Sequence, residues 1–467
     1  MDEDTRYEAV RSRDARFDGE FFFGVETTGV YCRPSCPAIT PKRRNVRFFA
    51  TSAAAQGSGF RACRRCRPDA VPGSAAWNVR ADVVGRAMRL IGDGVVDREG
   101  VAGLAVRLGY SARQVQRQLT AELGAGPVAL ARAQRAHTAR TLLQTTDLPV
   151  TEIAFASGFA SVRQFNDTIR AVYASTPSEL RATAPKGASR GARAAGPAAG
   201  IPLRLAHRGP YHARAVFDLL EREAVAGIED VSGAPGGRTY CRTLRLPYGT
   251  GIAAVDERSG APKPTSGAHP GGWLDARLHL TDPRDLTTAV QRLRRLFDLD
   301  ADPYAVDERL GGDPRLAPLI AARPGLRSPG AADPEELAVR ALVGRDAAER
   351  LVRQYGKALD TPRGTLTHLF PEPAVLAESG AEPHGPLGAL AAALADGTVR
   401  LDPGADRDGA EQTLLALPGL DGATVAVIRS RALGDPDVAP PGADIPGTWR
   451  PWRSYAVQHL RTAGELE

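Results

Sequence analysis

Cysteine is scarce in this chain. Its 467 residues include five, of which four fall within Cys32–Cys66 and the fifth, Cys241, stands apart. So few thiols exclude the disulfide-dense scaffold of small secreted domains. No apolar run is long enough to cross a bilayer and Met1–Val10 has no signal-peptide pattern, so the expectation is a soluble cytoplasmic protein without a membrane partner. In that reducing compartment, two close cysteine pairs read first as a metal site. The charge is not extreme either. A net +6 and a pI near 9.2 suit a polyanionic partner, although an arginine excess with abundant Ala, Gly and Pro also follows from high-GC coding.

A chain of this length exceeds what one core can serve, and its composition shifts mark the joints. Residues 1–74 are rich in Arg, Cys, Phe and Tyr, and residues 77–183 are helical by pattern. Residues 184–200, "APKGASRGARAAGPAAG", carry bases but no acid and cannot bury apolar area, so they read as a linker. In residues 201–300, "TYCRTLRL" and "GWLDARLHL" alternate apolar and polar positions as antiparallel strands do, and "DLTTAVQRLRRLFDL" is an amphipathic helix. Residues 301–463 read as helical with many Pro and Gly breaks.

Cys32, Cys36, Cys63 and Cys66 are spaced C-x3-C, then 26 residues, then C-x2-C. Two close pairs so separated suit a tetrahedral zinc ion, with Zn–S bonds of about 2.3 Å. Four thiolates around Zn(II) give a formal charge of −2 and keep electron density on sulfur, so a ligand can also be a nucleophile. Closed four-cysteine sites are most often structural, and spacing by itself leaves both roles open. The segments "TTGVYCRPSC", "NVRFF" and "GFRACRRCRPD", in this order and spacing, resemble the zinc-binding domain of bacterial Ada, the regulator of the response to DNA methylation. That resemblance implies that Cys32 irreversibly accepts a methyl group from a phosphotriester of the DNA backbone. The cluster charge then falls from −2 to −1, and repair becomes a signal through weaker repulsion of phosphates. It also implies that Thr28 and Arg61 face DNA. Lys42, Arg43, Arg44 and Arg47 form a basic run between the ligand pairs, with Arg43 and Arg47 expected at the backbone.

"LAVRLGYSARQVQRQL" and "IAFASGFASVRQFNDTI" share one plan, in which an apolar helix meets Gly109 or Gly158 at a tight turn and a polar helix follows. Each second helix would enter a major groove, with Arg113, Gln114, Arg117, Ser161, Arg163, Gln164 and Asn166 as candidate readers of base or backbone. Leu104, Leu108, Val115, Leu119, Phe165 and Ile169 read as core. The stretch "PVALARAQRAHTARTLLQTTDLPVTEIA" reads as one long connecting helix. The whole of about 77–181 resembles the AraC-type DNA-binding domain.

"CRTLRLPYGTG", "DLDADPYAVDERLGGDPRLAPLIAARPGLRSPG" and "PWRSYAVQHL" resemble the AlkA family of DNA glycosylases, which remove methylated purines. The resemblance implies a helix-hairpin-helix at Leu417–Ile428 in which Gly419 lets a DNA phosphate approach, a catalytic aspartate for which Asp444 is the best match, with Asp435 and Asp437 behind it, and Trp449 and Trp452 as base-pocket residues. Departures from the family are visible. Asp421 replaces the second hairpin glycine, and Ala423 and Val427 stand where the family stacks aromatics on the flipped base. The Pro-Cys-His-Arg signature of the second Ada methyltransferase module is absent, and Cys241 reads as a small buried strand residue. The fold expected is multidomain α+β: a zinc-binding α/β domain, an all-α double helix-turn-helix, an antiparallel sheet domain and a helical glycosylase domain. The function expected is alkylation repair coupled to transcriptional regulation. Zinc is the cofactor, damaged and promoter double-stranded DNA the partners, and RNA polymerase a further one. A transcription factor with structural zinc and an inactive glycosylase-like half is the alternative reading.

Overall fold

The computed structural model describes residues 1–68, 82–183, 200–260, 271–379 and 385–466. The linker at 184–199 and the junction at 69–81 lie outside these. The described residues fall into two compact units: Met1–Gly209 with Ala261–Trp273 and Arg277–Thr288, and Pro210–Gly260 with Leu274–Ala276 and Ala289–Glu467.

The first unit opens with helix α1 (Glu3–Arg11), N-capped by the Asp2 carboxylate. A small sheet follows, from strands β1 (Phe22–Val25), β2 (Val30–Cys32), β3 (Val46–Phe49) and β4 (Arg61–Ala62), in the order β3-β1-β2-β4. β1 runs antiparallel to both neighbours, whereas β2 and β4 are parallel. The Phe60 ring lies so close over β1 that a Cβ at Gly24 would meet it at 2.8 Å, which explains glycine in mid-strand. Helix α2 (Ser52–Gly57) is capped by the Thr51 hydroxyl and places Ala53 in the core of the helices that follow.

Those helices are α3 (Val83–Gly92), α4 (Val95–Leu108), α5 (Ala112–Leu123), α6 (Pro127–Thr145), α7 (Val150–Ala156), α8 (Val162–Tyr173) and α9 (Pro177–Ala182). Gly109 (φ 76°) and Gly158 (φ 84°) take the left-handed conformation that the two turns require. All six residues read as core are buried. One expectation is corrected: α6 stops at Thr145, and "LPVTEIA" contributes α7 instead of prolonging the connector. The cause is Pro149, which biases Leu148 away from helical backbone. The described part of this unit also contains strand β5 (Ile201–His207).

In the second unit, helix α10 (Ala213–Glu223) precedes the strands β6 (Glu229–Ser232), β7 (Thr239–Arg245) and β8 (Thr250–Gly260), which form an antiparallel meander, Asp230 facing Cys241 and Cys241 facing Ala254. "GWLDARLHL" forms strand β9 (Gly272–Leu280) and "DLTTAVQRLRRLFDL" yields α11 (Leu286–Leu296), of which Leu274–Ala276 and the residues from Ala289 onward belong to this unit. Later helices used below are α12 (Pro334–Val343), α13 (Pro386–Ala395), α14 (Arg407–Leu415), α15 (Gly422–Val427) and α16 (Arg453–Ala463).

The reading of 301–463 as purely helical needs correction, because β10 (Lys357–Arg363) and β11 (Leu366–Leu369) form a hairpin there. Leu359, Leu366 and Leu369 bury themselves against Ile252, so packing on β8 overrides a weak local pattern. Cys241, read as buried, is half-buried against this patch. The sheet and helical segments share one core, since Val225 and Ile228 pack with Leu337, Leu390, Leu414 and Val425. Beside it lies a set of buried ion pairs. Arg242 bonds Glu336 at 2.7 Å, and Arg340 bonds both Glu336 at 2.7 Å and Glu229 at 3.0 Å.

Candidate metal centre and nucleic-acid interface

Register builds the thiol cluster. Parallel pairing sets Val30 against Arg61 and Tyr31 against Ala62, and the Cys63 amide donates to the Tyr31 carbonyl at 3.0 Å. Cys32 and Cys63 therefore leave their strands side by side. A tight turn in which the Cys36 amide donates to the Arg33 carbonyl returns Cys36 to the same point, and a second turn, ending at Arg67 with φ 46°, returns Cys66. One sulfur from each of the four residues lies within 4.8 Å of the other three.

This donor set fits zinc. Four soft sulfurs, buried and convergent, are the chemistry of a closed tetrahedral site. As bare thiols they conflict: hydrogen bonding to Cys36, then to Cys63 and Cys66, pushes the Cys32 thiol far up, while hydrogen bonding to Cys32 pulls Cys63 down. A divalent cation lets all four ionise together.

Behind the first ligand loop sits Asp18, almost fully buried. Its carboxylate accepts from the Ser35 amide at 2.9 Å, from the Ser35 hydroxyl at 2.5 Å and from Arg33 at 3.1 Å, which fixes the loop between Cys32 and Cys36. Arg208, just past β5 and only 4% exposed, donates to the Asp18 carbonyl at 2.7 Å and to the Glu20 carboxylate at 3.0 Å. Nothing local in the sequence signals this partner, which lies 190 residues away.

Thr28 and Arg47 are exposed and Arg61 is half-exposed, and register places Thr28 and Arg61 where β2 and β4 begin, whereas the cysteines lie where those strands end. The Arg47 guanidinium lies over Phe49 and Phe60, 5.3 and 5.9 Å from their ring centres. Arg43 is tied to Glu3 and stacks on Phe48 at 5.3 Å, so a DNA phosphate would compete with a carboxylate there.

Among the helix-turn-helix candidates, Arg113, Gln114, Arg117, Ser161, Arg163 and Gln164 are exposed and Asn166 is half-buried. Two of them have local work. Gln114 closes a capping box with Ser111, and Ser161 accepts from the Gln164 amide at 3.2 Å as N-cap of α8. The other ends of α5 and α8 meet residues of the zinc segment. Thr51 donates its hydroxyl to the Leu123 carbonyl at 3.2 Å, and Arg64, between ligands Cys63 and Cys66, donates to the Ala174 carbonyl and to the Ser175 hydroxyl, both at 2.8 Å. In the sequence Arg64 was one more basic residue of "CRRC", with no signal that it caps a helix.

In the second unit a cavity of about 600 Å³ is lined by α10, α16 and the residues after α15. Val427 lines it, where the family resemblance expects a stacking aromatic, and among the described residues no aromatic lines it. Arg222, Arg431 and Arg461 reach it, with Asp218 and Glu223. Glu223 bonds Arg431 at 2.8 Å and Asp218 bonds the buried Arg238 at 2.8 Å.

Asp444 is not among the cavity's lining. Its side chain is 97% exposed, and its nearest cation is Arg315 at 3.9 Å. The single 3-10 turn Gly447–Trp449 follows it. Asp435 bonds Arg429 at 2.8 Å and Asp437 bonds Arg453 at 2.7 Å, so both alternatives are engaged in ion pairs. Trp449 and Trp452 lie elsewhere than expected. Trp449 is 2% exposed in a core with Leu310 and Leu316, its indole donating to Asp313 at 2.7 Å, and Trp452 packs edge-on to Tyr455 in the same cluster. In the hairpin Gly419 has φ 78°, and Asp421 N-caps α15, accepting from the Thr424 amide at 2.7 Å. The bond from the Thr424 amide holds the Asp421 pKa below the usual range.

Comparison with known proteins follows the same division. Residues 5–69 match the metal binding domain of Ada, 104–183 a helix-turn-helix domain and 202–333 the AlkA N-terminal domain. A "probable bifunctional transcriptional activator/DNA repair enzyme AlkA" of Mycobacterium tuberculosis is 48% identical, over 98% of this chain and 96% of that protein. The chain belongs to this family. Within the Ada–AlkA type, the bifunctional transcriptional activator/DNA repair enzyme Ada of Escherichia coli is 33% identical over 36% of this chain and 47% of its own length. DNA-3-methyladenine glycosylase 2 of Escherichia coli is 32% identical over 37% of the chain and 70% of its own. The four-cysteine cluster is the zinc site of the Ada portion. Among the described residues no helix is long and apolar enough to cross a membrane.

Proposed function

We propose that this chain senses DNA methylation through Cys32 and converts the repair event into promoter binding. The observation that carries this reading is the convergence of four buried sulfurs at the end of a strand pair, in a sheet that also carries the exposed Thr28 and Arg47 and the half-exposed Arg61. Zinc, when held by Cys32, Cys36, Cys63 and Cys66, supplies the charge that keeps the nucleophilic sulfur a thiolate at neutral pH.

The residues of the chain do the rest. Thr28 and the arginines hold the backbone so that a methylphosphotriester presents its methyl carbon to Cys32 Sγ. The S–C bond forms as the O–C bond breaks, and the bonding pair leaves on oxygen as a phosphodiester anion. No proton moves. The thioether carries no charge, so the site loses one negative charge beside the phosphates it faces. Asp18 keeps the Cys32–Cys36 loop in one geometry before and after. Arg113, Arg117, Arg163, Gln164 and Asn166 then read promoter DNA from α5 and α8, with RNA polymerase the partner that responds.

The second unit we assign to damaged duplex DNA, with base excision much weaker than in the glycosylase it resembles. Its cavity is large enough for a base but lacks a stacking face, and Asp444 stands in solvent. Duplex DNA carrying radiolabelled methylphosphotriesters tests the first assignment. Label should become bound to the protein once per chain and should be lost in Cys32→Ser; label that persists in Cys32→Ser would mean that the zinc is structural. Release of free 3-methyladenine above a no-protein control, abolished in Asp444→Asn, would overturn the second.

A further inference from the structure

We infer that Thr51 and Arg64 are positioning residues that set the spacing of the two reading helices, so that the methyl-accepting segment is part of the promoter-reading head. This rests on the proposed reading of α5 and α8 as promoter readers.

The geometry is symmetrical in kind. A helix ends in carbonyl groups without intrahelical partners, and it carries a partial negative charge there. α5 ends at Leu123, whose carbonyl accepts from the zinc segment, and α8 ends at Tyr173, where the carbonyl of Ala174, the residue just past the helix, does the same. Thr51 does this for α5 while the same oxygen accepts from the Ala54 amide, so one hydroxyl joins the start of α2 to the end of α5. Arg64 does it for α8, placing a cation where the helix dipole favours one. Both helix ends take left-handed backbone, Gly124 with φ 69° and Ala174 with φ 49°, a conformation uncommon for alanine. At Gly124 there is also no room to spare, since an added Cβ would lie 3.0 Å from the Ala54 methyl. Ala53 adds an apolar contact by packing in the core of α3–α5.

The two contacts hold the C-terminal ends and leave the N-terminal residues from Ser111 and Ser161 onward open. α6 joins the units along the chain, and the zinc segment joins them a second time. A pair of helices braced twice should tolerate little change in the distance between its two half-sites, normally about one helical turn of DNA.

Selection from a random-sequence duplex library by the full zinc-loaded chain, followed by affinity measurement on sites lengthened or shortened by one base pair, tests this. The wild type should enrich two half-sites at one spacing and lose about tenfold in affinity when that spacing changes. Arg64→Ala and Thr51→Val should each enrich the same half-site letters with relaxed spacing and lose only about twofold. Arg64→Lys and Thr51→Ser, which keep a donor, should restore the wild-type preference. Zinc content and methyl uptake report whether each variant is folded, and Thr51→Val stands as an independent test should Arg64→Ala not fold. Variants that fold and keep the wild-type spacing preference would overturn the inference alone. A wild type that enriches no paired motif would overturn the promoter reading beneath it.

Discussion

The thiol cluster and the cavity of the second unit solve the problem of assembling a site in opposite ways. Cys32, Cys36, Cys63 and Cys66 come from two short loops locked by adjacent strands, and strand register with two tight turns brings their sulfurs together. The cavity draws on α10, α15, α16 and the loops between them, each placed by long-range packing. A site of the first kind survives as long as two loops survive. A site of the second kind depends on single positions that the fold does not need: here Val427 lines the cavity, Asp421 caps a helix and Asp444 stands exposed.

The largest contrast is expected on metal removal. Chelation should unfold residues 1–68 outright, since structural zinc contributes of order 10 kcal/mol to such domains, and should leave the second unit's unfolding transition in place; hydrogen exchange resolved by segment measures both. Next comes the frame of the second unit. Arg242→Met leaves Glu336 with a weaker set of partners in the interior and should cost about 3–5 kcal/mol in urea unfolding. A milder outcome would show the frame to be as expendable as the site.

A pH effect of similar kind should come from Asp298, whose burial raises its pKa to about 6 and whose carboxylate accepts from the Tyr455 hydroxyl at 2.8 Å. Since the folded pKa lies above the unfolded one, the second unit should be most stable below about pH 4 with respect to this group. It should lose up to about 3 kcal/mol as the pH rises to 6 and change no further above it. Urea midpoints across that window should flatten in Asp298→Asn. The smallest effect tests whether the cavity can be repaired. Val427→Tyr returns a stacking face worth roughly 1–3 kcal/mol and should tighten binding of duplex carrying a flipped-out base analogue by at least about threefold. No gain would place the defect elsewhere than in stacking.

Much of this architecture was legible from sequence because its determinants are local. The cysteine spacing, the left-handed glycines at 109 and 158, and the apolar positions of both helix-turn-helix units depend on neighbours a few residues away. The β10–β11 hairpin was not legible, because its strands are held by Ile252 more than a hundred residues earlier. Trp449 and Trp452 were misplaced for a related reason: a tryptophan in "WRPWRSYA" fits a pocket or a core equally well until its partners, here Asp313 and Tyr455, are known. Arg64 and Thr51 illustrate the same limit at a functional surface. Arg64 sits among the basic residues of "CRRC" and Thr51 in a run of small residues, and only the fold shows the carbonyls they reach.

Arg208 gives the chain an unexpected connectivity. Residues 184–199 read in sequence as a tether, and a tether has one fixed end and one wandering end. Here the described residues on both sides of it belong to the same unit, with α9 before it and Arg208 buried against Asp18 and Glu20 after it. A protease that cuts within it should therefore yield a nicked but undivided protein, with two polypeptides that separate in denaturant and travel together without it.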